Sequence, residues 1–195
     1  MDLRCRDRVF AAVTLSGPDK APIMHSPLSG ALIKYGEELI AIFAKYPQDF
    51  GPSDFTIPKP EDLPPYYRRG IHRDEWGTYW RSMIDGICGQ VYDYPLKSWD
   101  NLESYEFPPL EKSSSSYLSR MPYNKMRGYV SSQKKKGYFA MLDFNPSNYF
   151  ERMRWSRGFE NLLIDFIRKP KELYIFADRL LEYCLKSLSF VLEAK

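Results

Sequence analysis

The sequence predicts an α/β fold, because three features of the chain agree on that class. Segments with apolar residues at helical spacing alternate with short, continuous apolar runs. The two best strand candidates, residues 21–25 and 137–144, each lead directly into a predicted helix. A length of 195 residues with 44% hydrophobic content suits one globular domain with its own core.

The first quarter of the chain predicts a helix, a strand and a second helix. Residues 4–15 place their apolar side chains on one face of a helix, and a Gly-Pro turn ends it. The run 21–25 is short, apolar and bounded by turn signals, as a buried strand is, and His25 lies at its end. A helix then extends over residues 27–45, with an interruption expected at one of two glycines, Gly30 or Gly36.

Residues 47–109 are rich in proline, which excludes long helices and indicates an extended, turn-rich insertion. Within it, residues 78–83 and 90–94 have strand character and flank the turn dipeptide Asp85-Gly86. This arrangement predicts a β-hairpin. Ser98 or Asp100 is suited to cap a short helical turn near residues 99–105, after the hairpin.

The second half of the chain predicts more helix than strand. Residues 117–136 favour a helix, and the apolar run 137–144 predicts a strand. Asn145 and Pro146 suit the cap and first position of the next helix, which continues to Pro170. A final helix follows, with leucines along one side.

Charge and composition exclude several classes of function. The net charge of +3 comes from 28 basic and 25 acidic residues, so we expect no nucleic-acid partner. The first residues lack the apolar run of a secretory signal, and no segment is long and apolar enough to span a bilayer. The three cysteines match no metal-ligand or redox spacing. We therefore expect a cytoplasmic protein with reduced thiols and no membrane partner.

Eight short segments, taken in order, resemble the uroporphyrinogen decarboxylase superfamily, and in particular its methyltransferase-like members. The resemblance extends along nearly the whole chain. The segments are RDRVFAA at 6–12, PDKAP at 18–22, YPQDFG at 46–51, DEWGTYW at 74–80, GQ at 89–90 with PLKSWD at 95–100, YEFP at 105–108, FERM at 150–153 and RGFENL at 157–162.

The resemblance implies a (β/α)₈ barrel with its site at the carboxyl ends of the strands. Because such a barrel takes about 250 residues, residues 1–195 are expected to form one domain that is its N-terminal portion and is incomplete at the C-terminus. Members of the family decarboxylate uroporphyrinogen without a cofactor, or move methyl groups between a substrate, a corrinoid and a thiol. The methyltransferases often bind zinc. Their ligands are expected beyond Lys195, so zinc and a corrinoid belong to the complete barrel and no metal ligand is assigned here.

Three substitutions distinguish this chain from the decarboxylases that it resembles. Pro27 and Ala31 stand where decarboxylases carry two arginines that bind substrate carboxylates. Neither residue can replace the bidentate, permanently charged guanidinium. Arg152 stands where the decarboxylases have a tyrosine that contacts the substrate. The methyltransferase-like branch is therefore favoured, with decarboxylase activity in porphyrin biosynthesis as the alternative.

The resemblance gives Asp74 the place of the family's catalytic aspartate, which holds pyrrole N–H groups. A carboxylate there would bind N–H groups or a cation, unless Asp74 is one of a solvated pair with Glu75. His25 follows the first predicted strand and is a candidate for lining a pocket, against a hydrogen-bonded structural role. The candidates for substrate binding are His25, Trp76, Arg152 and Arg157.

Two functional classes stay open. The chain is either the first part of an enzyme, with a small-molecule, tetrapyrrole or corrinoid ligand and a corrinoid protein as partner, or a non-catalytic, truncated half-barrel that acts as an interaction module. A half-barrel leaves an unpaired strand edge. We therefore expect self-association or a complementing chain.

Overall fold

The computed structural model describes residues 3–110, 125–142 and 149–193. Helices and a small antiparallel sheet occur together in these ranges, so the fold is mixed helix and sheet. The α-helices in the described ranges are α1 (Cys5–Val13), α2 (Ser29–Lys45), α3 (Met126–Lys135), α4 (Tyr149–Arg157), α5 (Phe159–Arg168) and α6 (Lys171–Glu193). Short 3₁₀ turns lie at Pro60–Asp62, Pro65–Tyr67 and Trp99–Asn101.

The helices agree well with the sequence patterns. α1 and α2 occur within the predicted limits, and α2 is kinked at Gly36, whose φ of 52° and ψ of −133° are not helical. α3 is the described end of the helix predicted for 117–136, and residues 117–124 lie outside the described residues. Asn145 and Pro146, the predicted start of α4, also lie outside them. Ser98 caps the 3₁₀ turn through its side chain, as expected.

The sheet contains β1 (Gly70–Arg73), β2 (Tyr79–Ser82) and β3 (Gln90–Asp93), paired in that order and antiparallel throughout. The predicted hairpin is confirmed as the β2–β3 pair. β1 was not predicted, because its four residues, GIHR, show neither a long apolar run nor clear alternation.

Two predicted strands are wrong within the described residues: neither 21–25 nor 137–142 joins a sheet. Asp49 binds both segments through its backbone, without forming a strand ladder. Its backbone N–H donates to the Ile23 carbonyl at 2.8 Å, and its carbonyl accepts from the Phe139 N–H at 3.3 Å. A short apolar run predicts burial, but a strand also needs a neighbour that supplies a ladder of hydrogen bonds. Because the described sheet is antiparallel, these residues contain none of the parallel strand pairs of a (β/α)₈ barrel.

The main core joins the insertion to the last three helices. Trp76, Leu96 and Tyr105 from the insertion pack against α4, α5 and α6. The insertion is therefore part of the core and not an appended loop. The other buried members of this cluster are Leu102, Met153, Leu162, Leu173, Phe176, Leu180, Tyr183 and Cys184.

Gly158 separates α4 from α5 where a single helix was predicted. Its φ of 83° is open to glycine and strained for other residues, and the Tyr94 ring occupies the space where a Cβ would stand. Asn161, in the first turn of α5, donates to the Tyr94 hydroxyl at 3.1 Å. The break thus lets the insertion pack against the helix pair.

The tip of the hairpin lies against the start of α2. The Gly30 N–H donates to the Gly86 carbonyl at 2.9 Å, and the Gly86 N–H donates to the Tyr67 carbonyl at 2.8 Å. A Cβ on Gly86 would overlap the backbone of Gly30. The close contact holds together three segments: the hairpin tip, the 3₁₀ turn at Pro65–Tyr67 and the beginning of α2.

Candidate functional site

Asp74 lies in the turn between β1 and β2 and is buried, with 7% of its surface exposed. One carboxylate oxygen, Oδ1, accepts from the backbone N–H groups of Trp76 at 3.0 Å and Thr78 at 2.8 Å. The other, Oδ2, accepts from the Trp80 indole N–H at 2.8 Å. Burial raises the pKa of the Asp74 carboxyl, although the Trp80 bond and the nearby Arg152 charge oppose that shift. Asp74 is therefore not part of a solvated pair with Glu75.

Arg152 projects from α4 into the same aromatic region and is 5% exposed. Its guanidinium carbon lies 4.2 Å from the centre of the Trp76 ring and 4.9 Å from that of Trp155. The distance from Nη1 to Asp74 Oδ2 is 3.9 Å, which is an ion pair without a hydrogen bond. Within the described part of the chain, Nε and Nη1 of Arg152 have no hydrogen-bond acceptor.

The structure thus brings together three of the predicted site residues, Asp74, Trp76 and Arg152. With Trp80 and Trp155 they form the Asp74–Arg152 cluster. Burial lowers the pKa of Arg152 and raises that of Asp74, so each charge is only partly compensated by the other. The aromatic faces supply the remaining attraction for the guanidinium.

Tyr105 closes one side of this cluster. Its hydroxyl donates to the Trp76 carbonyl at 2.9 Å and lies 3.3 Å from the Ser156 hydroxyl. Burial raises the pKa of Tyr105 to about 12, so the phenol stays neutral at physiological pH. Neither Asp74 nor Arg152 lines the cavity that contains His25, which is described below.

Arg157 lies further along α4 and is engaged by its own chain. Its Nε donates to Asp165 Oδ2 at 2.7 Å, and its Nη1 donates to the carbonyls of Leu96 and Lys97, each at 2.7 Å. The guanidinium also lies 4.5 Å from the centre of the Trp99 ring. These contacts fasten α4 and α5 to the insertion, and the ligand contact suggested for Arg157 stays a prediction.

His25 lies apart from the Asp74–Arg152 cluster and is among the residues that line a cavity of about 620 Å³. Its Nε2 lies 2.5 Å from the Tyr46 carbonyl oxygen, and its ring packs 4.5 Å from Phe43 between centres. The cavity is also lined by Met24, Pro27, Leu28, Leu32, Gln48, Phe50, Phe55, Asp62, Leu63, Tyr67, Tyr129 and Met141. We call it the His25 cavity.

Aromatic contacts connect the two regions. Tyr67 lines the His25 cavity and packs 5.2 Å from Tyr66. Tyr66 packs 5.7 Å from Trp80, whose indole is bound to Asp74. Asp74 therefore supports, through the hairpin, a wall of the cavity that it does not itself line.

An ionic network near the cavity, which is buried at Arg8 and Asp49 and exposed at Asp19, was not predicted from the sequence. Arg8 donates to both carboxylate oxygens of Asp19, at 2.8 and 3.0 Å, and its Nη1 donates to Asp49. Asp49 accepts in turn from the Ile23 N–H at 2.9 Å, and the adjacent Gln48 accepts from the His25 N–H at 3.0 Å. The signal was present as charged residues within segments 6–12, 18–22 and 46–51, which also carry the family resemblance.

The described residues offer no metal centre: they contain no group of three or more His, Cys, Asp or Glu that could hold an ion. The three cysteines are free thiols, and burial raises the pKa of Cys184 to about 11, which keeps it protonated. Among the described helices, including the 23-residue α6, none has both the length and the apolar character needed to cross a bilayer.

Comparisons with known proteins add no relative to this picture. No family model matches the chain, and neither the curated proteins nor the solved structures contain a match. The family relationship therefore remains a sequence resemblance, and the function follows from the site.

Proposed function

We propose that the chain is the N-terminal portion of a (β/α)₈ barrel of the uroporphyrinogen decarboxylase family, from its methyltransferase-like branch. In this proposal the His25 cavity is part of the ligand pocket of a cytoplasmic enzyme. The size of the cavity supports this proposal, since pockets of about 300–1,000 Å³ hold small molecules. The lining supports it as well, because apolar and aromatic side chains surround a few polar groups.

One observation carries the choice between the two chemistries of the family. Pro27, which stands in the place of a carboxylate-binding arginine, lines the His25 cavity. No lysine or arginine is among the described residues that line it. A substrate with eight carboxylates would enter this cavity without a cationic partner, at a large desolvation cost. Methyl transfer is therefore proposed over decarboxylation.

The proposal assigns two kinds of role to the predicted site residues. His25 contacts the ligand. A positioning role is assigned to Asp74, Trp76 and Arg152, which hold the hairpin behind the side of the cavity that Tyr67 lines. The carboxylate of Asp74 is already bound to Trp76, Thr78 and Trp80, so it is assigned no contact with the ligand. Arg157 holds the helix pair α4–α5 against the insertion.

Zinc and a corrinoid would supply the acceptance and transfer of the methyl group in the complete barrel. The described residues of this chain do not fit a zinc site, since they contain no ligand cluster and Cys184 is buried and protonated. No step of the reaction is therefore assigned to a metal held by these residues.

The test compares two reactions in the natural polypeptide that carries this sequence. Methylcobalamin and a thiol are supplied in one assay, and uroporphyrinogen in the other. We expect thiol-dependent loss of the methylcobalamin absorption spectrum, and no carbon dioxide from uroporphyrinogen. Release of carbon dioxide would establish the decarboxylase instead. Inactivity in both assays, with the fold intact, would favour a non-catalytic role.

A non-catalytic interaction module is the second candidate, and exposed apolar side chains on the last two helices favour it. Ile167 on α5 is 82% exposed, and Leu185 on α6 is 58% exposed. Phe159, Leu163 and Leu181 are also exposed. Apolar surface of this kind favours a partner, so the isolated chain should associate with itself or with a complementing chain. A monomer by light scattering at all concentrations would exclude self-association.

A further inference from the structure

The His25 cavity has a chemical bias that the proposed function does not specify. Four aromatic rings line it, those of Phe50, Phe55, Tyr67 and Tyr129, in addition to the imidazole of His25. The face of an aromatic ring carries partial negative charge and attracts cations. A cavity with this lining is suited to a ligand that is both apolar and positively charged.

The formal charge among the described lining residues has the same sign preference. Among the described lining residues, Asp62 is the charged one, and it is exposed to solvent. It contributes a negative charge, and the same lining contains no lysine or arginine. Asp62 therefore places a negative charge at the mouth. A nearby cation is Arg68, which does not line the cavity and whose Nη2 donates to the carbonyls of Glu61 and Leu63 at 2.7 and 2.8 Å.

The polar groups inside the cavity add little for an anion. The Tyr46 carbonyl can only accept a hydrogen bond, so the Nε2–H of His25 is engaged there and is not offered to a ligand. The Gln48 amide is engaged on both sides, since its Nε2 donates to the Pro52 carbonyl at 3.0 Å and its Oε1 accepts from the His25 N–H. The serine and tyrosine hydroxyls can donate or accept and discriminate neither sign.

We infer that the His25 cavity binds an organic cation with apolar substituents, such as an alkylated ammonium group. This inference rests on the proposed function, in which the cavity is a ligand pocket, and it names the chemical class of the ligand. The aromatic rings hold the alkyl groups and the charge, and Asp62 attracts the cation at the mouth.

Three probes of the same shape test the charge preference: choline, its uncharged carbon analogue neohexyl alcohol, and the anion tert-butylacetate. Binding to the full chain is measured by calorimetry and by saturation-transfer NMR. We expect choline to bind about ten-fold more tightly than neohexyl alcohol, the range of a desolvated cation–π contact, and tert-butylacetate not to bind.

Two variants locate the binding. Phe55→Leu keeps an apolar side chain but removes a ring, and should reduce the preference for choline over neohexyl alcohol several-fold. Asp62→Asn should weaken choline about five-fold and leave neohexyl alcohol unchanged. The matched control is Phe159→Leu, which removes an exposed ring on α5 that does not line the cavity. It should leave all three affinities unchanged.

The outcomes separate this inference from the proposed function. Equal binding of choline and neohexyl alcohol, both lost by filling the cavity with Leu32→Trp, would overturn the cation preference and keep the pocket. If tert-butylacetate binds most tightly of the three probes, the cation preference is also overturned, and carboxylate substrates are favoured instead. Absence of binding by every probe to a folded chain would overturn both the cation site and the pocket.

Discussion

The Asp74–Arg152 cluster and the His25 cavity both place polar side chains among aromatic rings, but they differ in access and in hydrogen bonding. In the cluster, the carboxylate is bound by its own turn and the guanidinium is covered by indole rings. In the cavity, the imidazole is held by one ring nitrogen, and about 620 Å³ of space lies in front of it. The first arrangement serves to position the chain, and the second leaves room for a ligand.

The difference explains why functional roles cannot be read from residue type alone. An aspartate beside a tryptophan and an arginine looks like a binding site in sequence. Here its hydrogen-bond capacity is used within 74–80, so it stabilises the turn that leads into β2. If the cluster positions the chain and the cavity binds a ligand, substitutions in the cluster affect stability, and substitutions around the cavity affect ligand affinity.

The largest effect is expected for Arg152→Met, which keeps an apolar stem of similar length and removes the charge. Asp74 would then be a buried carboxylate without a nearby cation, and breaking a buried pair on one side costs about 3–5 kcal/mol. Chemical denaturation measures the loss. The matched control is Arg154→Met on the same helix, because Arg154 and Glu151 form a partly exposed pair worth about 1 kcal/mol or less. Similar losses of unfolding free energy in both variants would show that Arg152 contributes no more to stability than the partly exposed Arg154.

Asp74→Asn is expected to cost less, about 2 kcal/mol, because it keeps the size of the side chain. Its amide nitrogen cannot accept a hydrogen bond, so at least one of the donors from Trp76, Thr78 and Trp80 is left unsatisfied. Thermal unfolding and choline calorimetry are run on the same samples. Lost stability with unchanged affinity per folded molecule agrees with a positioning role. Unchanged stability with about a ten-fold loss of affinity would place Asp74 in the ligand pocket.

The ionic network near the cavity gives a prediction at acid pH. The hydrogen bonds from Arg8 hold the pKa of the Asp19 carboxyl well below its ordinary value. A lowered pKa in the folded state stabilises the fold above the unfolded pKa of 3.8, and this contribution is lost as pH falls through the folded value.

Asp19→Asn should therefore flatten the decline of unfolding free energy below about pH 4, as followed by denaturation across a pH series. Asp7→Asn, which removes an exposed partner of Arg4, serves as the control and should keep the wild-type profile. An unchanged profile for Asp19→Asn would mean that the network does not contribute to acid stability.

The smallest effect is expected at the cavity wall. Leu28 lines the His25 cavity and is 52% exposed, so Leu28→Ala should change the free energy of unfolding by about 0.5 kcal/mol or less. Leu96→Ala in the main core, where the side chain is fully buried, should cost about 2–5 kcal/mol. Equal losses would show that the cavity wall is packed as tightly as the core, contrary to the comparison.

Periodicity predicted the helices and the hairpin because those signals are local. The apolar stripes of α5 and α6 and the Asp85-Gly86 turn each depend on a few neighbouring residues. Residues 21–25 and 137–142 were misread because burial of an apolar run does not say whether a neighbouring strand exists. In place of a neighbouring strand, Asp49 binds both segments, and it does not form a ladder of hydrogen bonds with them.

The site was predictable in part for the same reason. The resemblance selected Asp74, Trp76 and Arg152, which do lie together, but it could not show that Asp74 is bound by its own turn. His25 was found from its place after an apolar run, and it does line a cavity. The aromatic residues that complete the cavity come from positions 50, 55, 67 and 129, whose proximity is a property of tertiary structure.

The contact between Gly86 and Gly30 sets a limit on how this chain can diversify. The two backbones are so close that no larger residue fits at Gly86 without displacing the start of α2, and that start carries Leu28, Ser29 and Leu32 into the cavity wall. In a library of random variants, position 86 should therefore tolerate as few alternatives as a core position, although it lies at the tip of a hairpin. Changes of ligand preference can then arise by replacing the side chains that line the cavity, while the backbone contact between Gly86 and Gly30 stays the same.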